Sequence, residues 1–110
     1  MPLPRGWARP KICAPMTVDE FRLLAKGEAP KGLSSALLAL HHDQRGEWDA
    51  AHQSAQEEET RDGAWVHAYL HRKEGDVGNA GYWYRRAGRP VPTCSLEAEW
   101  AQIAGELLKA

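Results

Sequence analysis

The sequence predicts an all-α protein of antiparallel helical hairpins, with about six helices following an extended N-terminal arm. Three observations predict it. Apolar residues recur every three or four positions along most of the chain, while two-residue alternation is absent and β-branched residues are scarce. Glycines and prolines interrupt this pattern at short intervals. Two segments 29 residues apart also align when Gly46 is set over Gly75.

In chain order, residues 1–16 hold Pro2, Pro4, Pro10 and Pro15, which neither continue a helix nor donate to a ladder. This reads as an arm with Trp7 and Ile12 as anchors onto the body. Residues 17–110 then read as a single helical domain. Thr17 and Glu20 form a capping box, and the helix it starts buries Val18, Phe21 and Leu24 or Ala25. Gly27 is expected to end that helix in the left-handed cap conformation. Pro30-Lys31-Gly32 is a turn. Leu33, Leu37 and Leu40 predict a second helix to about Gln44, broken by Arg45-Gly46. Trp48, Ala51 and Ala55 mark a third. It runs into Glu57-Glu58-Glu59, where three carboxylates oppose the helix dipole and predict fraying. Thr60–Gly63 reads as a turn, and a fourth helix spans about Ala64 to Glu74. A fifth runs from near Asp76 to Gly88. Beyond Pro90 and Pro92 a last helix, about Ser95 to Lys109, carries Leu96, Trp100, Ile103 and Leu107 on one stripe.

The alignment places Leu37–His42 over Val66–His71 and Gly46–Ala51 over Gly75–Ala80. Small residues recur where paired helices must approach, at Ala39 and Ala68 and again at Ala51 and Ala80. The two hairpins span about 34–59 and 64–92. In the second, Ala68, Gly75, Ala80, Tyr84, Ala87 and Pro92 fall at the small, turn, aromatic and terminal-proline positions of a tetratricopeptide-type repeat, which the chain resembles over about 34–92. The first keeps Ala39, Gly46 and Ala51, but has Ala55 at the aromatic position and Glu58 at the next small one. His42 and His71 stand where that repeat usually has tyrosine. The resemblance implies stacked hairpins with a concave peptide-binding surface, onto which Asn79 would project if it is not simply a cap residue. Two units are fewer than the roughly three an independent solenoid needs, so the first and last helices and the arm are expected to cap the stack. The string HRKEGDVGNAGYWYRRAGR is also similar to a segment in a group of small uncharacterised proteins, which implies no function.

Composition narrows the function. A net charge of −1 argues against nucleic acid and against a charged membrane surface. Cys13 and Cys94 are too few and too far apart for a disulfide framework, and the opening residues lack the apolar core of a secretory signal. A cytoplasmic protein is expected.

Three chemistries compete for 64–92, which holds five of the nine aromatic residues. First, His67, His71 and Glu74 share one helical face and can serve as a divalent metal site or an acid–base set, with His42 near His71 if the repeats stack. Against this, no HExxH motif is present, and such residues commonly just line a helix groove, so no cofactor is predicted. Second, Arg72, Lys73, Arg85, Arg86 and Arg89 can converge beside Tyr82 and Trp83 to take a small anionic ligand. Third, the groove can bind a protein or peptide. Binding rather than catalysis is the expectation, through His67, His71, Arg72, Glu74, Asn79, Trp83, Arg85 and Arg86.

Overall fold

A computed structural model describes residues 16–109. The expected arm, with Trp7, Ile12 and Cys13, lies outside the described residues except for Met16, which packs against the core. The described chain is all helical, with α1 (Val18–Leu23), α2 (Ser35–Gln44), α3 (Trp48–Glu57), α4 (Arg61–Lys73), α5 (Val77–Ala87) and α6 (Leu96–Lys109). None of these helices is long and apolar enough to cross a membrane.

The Thr17–Glu20 capping box closes in both directions, at 3.1 and 2.9 Å. The expected left-handed stop at Gly27 does not form. Leu24–Lys26 instead tightens into a 3-10 turn, and Gly27 is extended at φ −147°. Arg45, from the turn after α2, reaches back to donate to the carbonyls of Ala25 and Gly27. Those carbonyls would otherwise lack helical partners.

The two expected helix pairs form, and their turns match in detail. Gly46 and Gly75 take left-handed φ values of 76° and 88°, which glycine adopts without steric cost. The amides of Glu47 and Asp76 donate to the carbonyls of His42 and His71, each at 2.9 Å. Ala39, Ala51, Ala68 and Ala80 are all buried, so each pair closes over small side chains as the alignment predicts.

Between the pairs, the structure replaces two expectations. The α3 terminus does not fray through three glutamates. The helix stops at Glu57, and the extended Glu58 turns its carboxylate towards the start of α2, accepting from the Ala36 amide at 2.9 Å and the Thr60 hydroxyl at 2.8 Å. Unfavourable at the end of its own helix, the charge is favourable at the beginning of the neighbouring one. Residues 60–63 are not a free turn either. Thr60 caps α4 by accepting from the Gly63 amide at 3.2 Å, and Arg61–Gly63 is the first helical turn. Gly63 permits this closeness, because a Cβ there would lie 1.9 Å from the Glu58 carbonyl oxygen.

α4 is the centre of the molecule. Gly63 through Leu70 are buried without interruption, and α2, α3, α5 and α6 all pack on this helix. A helix apolar around its circumference belongs inside. α6 lies across α2 and α4 and also meets α1, rather than stacking a further layer on the α4–α5 pair. Trp100 anchors it: its indole donates to the Leu40 carbonyl at 3.2 Å and its ring stacks on Phe21 at 5.6 Å.

Candidate functional site

A groove of about 620 Å³ runs between α3 and α5, floored by α4. Its lining includes Ala55 of α3, Glu58 and Glu59 just beyond it, Arg61, Ala64 and His67 from α4, and Trp83 and Arg86 from α5. Beside it, aromatic rings form a continuous array. The His67 ring stacks on Trp83 at 4.1 Å between centroids and on His71 at 4.7 Å. His52 of α3 stands edge-on to both, at 5.3 and 5.1 Å, and Trp48 stands edge-on to His52 at 4.9 Å. At the other end the Arg86 guanidinium lies over the Trp83 and Tyr82 rings at 5.2 and 5.8 Å, and donates to the Tyr82 hydroxyl at 3.0 Å.

The local sequence explains why these residues meet. His67 and His71 are one turn apart on α4, and Trp83 and Arg86 three apart on α5, so each pair shares a face. The α4–α5 turn then sets the two faces side by side. Tyr84, between them in sequence, points the opposite way into the core, as the repeat pattern requires. His52 was not among the expected residues. It sits one turn after Trp48 on the flank of α3 that faces α4.

Only part of the expected site is brought together. His67, His71, Trp83 and Arg86 converge. Glu74 accepts a hydrogen bond at His71 Nδ1, 2.9 Å away, and is exposed. Asn79 does not contact the groove. Its amide and its side-chain NH2 both donate to Asp76, at 3.2 and 2.7 Å, closing the cap of α5, and these bonds hold the Asp76 carboxyl below its usual range. His42 is held by Glu47 at 2.7 Å, away from His71.

The basic cluster does not converge. Arg72 turns to the other side of α4, where it pairs with the buried Glu99 at 2.7 Å and donates to the Cys94 carbonyl. Lys73 pairs with the buried Asp43 at 2.8 Å, beside the Tyr69 hydroxyl. Arg89 lies over the Trp65 ring and pairs with Glu106. Arg85 is exposed and lies along its own helix beside Gly81. The reason is common to the first two. Asp43 and Glu99 are interior carboxylates, and each takes one cation and one tyrosine hydroxyl from neighbouring helices to satisfy its charge. Burial, followed by the adjacent carboxylate, pushes both the Tyr69 and Tyr84 phenols upward, so they remain proton donors. Of the five expected cations only Arg86 lines the groove, joined by Arg61, which the sequence did not single out.

The electrostatics of the histidines follow from their enclosure. Burial, and then the neighbouring His71 and His52, lower the His67 pKa to about 4. Burial and then His71 also lower that of His52. His67 is therefore neutral near pH 7, with a lone pair on one ring nitrogen and an N–H on the other. Among the described residues, no hydrogen bond occupies a ring nitrogen of His52 or His67, whereas Glu74 fixes Nδ1 of His71.

No protein-family model, curated protein or solved structure matches this chain, so its own geometry carries the functional reading.

Proposed function

We propose that the protein is a small binding module, not an enzyme, whose α3–α5 groove takes an acidic segment of a partner protein. The observation that carries this is the Trp83–Arg86 wall. It combines a flat aromatic face with a guanidinium already oriented by two rings and one hydroxyl, in a concavity of ligand size. A guanidinium held in place loses less freedom when it grips a carboxylate. Arg61 lines the same concavity, and among the described residues neither Arg61 nor Arg86 is paired with a carboxylate. On the opposite rim Glu58 and Glu59 repel the same ligand, which fixes its orientation, acidic end towards α5.

The matching turns at Gly46 and Gly75 and the buried alanine seams support a tetratricopeptide-type relationship, in which such grooves bind peptides. We place the protein in a reducing, cytoplasmic setting, consistent with the free thiol of Cys94.

Selection of random peptides displayed on phage against the full chain tests the proposal. Enriched peptides should carry Asp or Glu near an aromatic or aliphatic residue, and Arg86→Glu and Trp83→Ala should each lower their affinity at least tenfold. Arg85→Glu, outside the groove, should leave it unchanged. Enrichment of neutral or basic peptides, or binding indifferent to Arg86→Glu, would overturn the reading.

A further inference from the structure

The three rings beside the groove, His52, His67 and His71, have a chemistry that peptide binding does not use. We propose that they form a three-histidine site for a divalent transition-metal ion, with Zn²⁺ as the ion it fits, the fourth position opening to the groove. The inference does not rest on the peptide reading.

Four observations carry it. The three side chains each bring a ligand nitrogen within 4.8 Å of the others. A tetrahedral Zn²⁺ with bonds of about 2.0–2.1 Å needs nitrogens roughly 3.4 Å apart, a contraction within the reach of small side-chain rotations. The ligands come from two helices: the i, i+4 pair on α4 fixes two of them, and α3 supplies the third. His52 and His67 have no competing hydrogen bond among the described residues. His71 has its Nδ1 held by the Glu74 carboxylate at 2.9 Å, which leaves Nε2 to bind. A carboxylate behind a ligating imidazole is the usual way its tautomer and orientation are set. Finally, Trp48 and Trp83 flank the set and limit access of water on two sides.

The donor set selects the class of ion. Three imidazole nitrogens suit Zn²⁺, Cu²⁺ or Ni²⁺, whereas Ca²⁺ and Mg²⁺ require oxygen ligands. A second grouping, His71 with Glu74 and Asp76, also lies within 4.8 Å. It is the weaker candidate because both Asp76 oxygens accept from Asn79 in the α5 cap. In the preferred site Glu74, which shares a helical face with His67 and His71, positions a ligand rather than serving as one.

Calorimetric titration of the full chain, stripped of metal by a chelator, with ZnCl2 is the test. The expected result is one Zn²⁺ per chain at micromolar concentration, with Co²⁺ giving the intense visible bands of a tetrahedral nitrogen site. His52→Ala, at a half-buried position where the fold should survive by circular dichroism, should abolish uptake. Glu74→Gln should weaken uptake roughly tenfold to a hundredfold, while His42→Ala should leave it intact. Absence of uptake by the unaltered chain overturns the proposal, as does uptake that survives His52→Ala or depends on Asp76 instead. Arg86→Glu, which disables the peptide reading, should not alter metal uptake, so the two can fail separately.

Discussion

Replacing Gly63 by alanine sets two opposing effects against each other, and the structure decides between them. Gly63 lies in the first turn of α4, and alanine in a helix is favoured over glycine by about 1 kcal/mol. The new Cβ, however, would stand 1.9 Å from the Glu58 carbonyl oxygen and 2.9 Å from its carbon. Both are backbone atoms and cannot rotate aside, so α3 and α4 must separate by more than 1 Å. Overpacking of this kind costs about 1–3 kcal/mol. Moving Glu58 also weakens its bonds to the Ala36 amide and the Thr60 hydroxyl, each contributing about 1 kcal/mol. The net expectation for Gly63→Ala is a loss of about 2–4 kcal/mol, read as a lower urea midpoint with an unchanged slope. Gly81→Ala is the control. It is also helical, but its nearest neighbour is the flexible Arg85 side chain at 3.6 Å, so it should gain up to about 1 kcal/mol. A Gly63→Ala protein as stable as the parent would refute the close approach of α3 and α4.

Two further outcomes follow from interior charges. Glu99→Gln should cost about 2–3 kcal/mol, because it weakens a buried acceptor shared by Arg72 and Tyr84. Glu106→Gln, which breaks the exposed pair with Arg89, should cost under about 1 kcal/mol, and equal losses in urea unfolding would contradict the assigned burial. His41 is buried, with neither ring nitrogen hydrogen-bonded among the described residues. Burial holds its pKa below the ordinary 6.5. The unfolded chain therefore takes up its proton first as pH falls, so stability is intact above about pH 6.5 and declines below it. His52 and His67, whose pKa values are also lowered, share that decline, so His41→Phe should lessen it in thermal melts, and an unchanged pH profile would exclude a contribution from His41.

The helices were legible because their signals are local. The Thr17–Glu20 box, the alanine seams and Gly46 and Gly75 each need only neighbours within one turn, and all appear where the pattern puts them. Errors arose where a distant residue decides. Gly27 escapes the left-handed conformation because Arg45 serves its carbonyl, and Glu58 ends α3 cleanly because α2 offers it the Ala36 amide. The site was half legible for the same reason. Helical spacing paired His67 with His71, and the density of aromatic and basic residues on the fifth helix pointed to Trp83 and Arg86. No spacing could give His52, since that requires knowing which flank of α3 faces α4. Nor could charge alone show that Arg72 and Lys73 are consumed by Glu99 and Asp43, which lie 27 and 30 residues away.

The path of α6 across α1, α2 and α4 bears on how this protein comes apart. In an open array each repeat touches only its neighbours, and unfolding can fray inward from an end. Here the first and last described helices clasp each other through Phe21 and Trp100, and both lean on the layer that holds the central helix. Peeling α6 away exposes that helix, and peeling α1 away uncovers Trp100. The molecule should therefore lose its structure in a single step, and the groove should vanish with the core rather than before it.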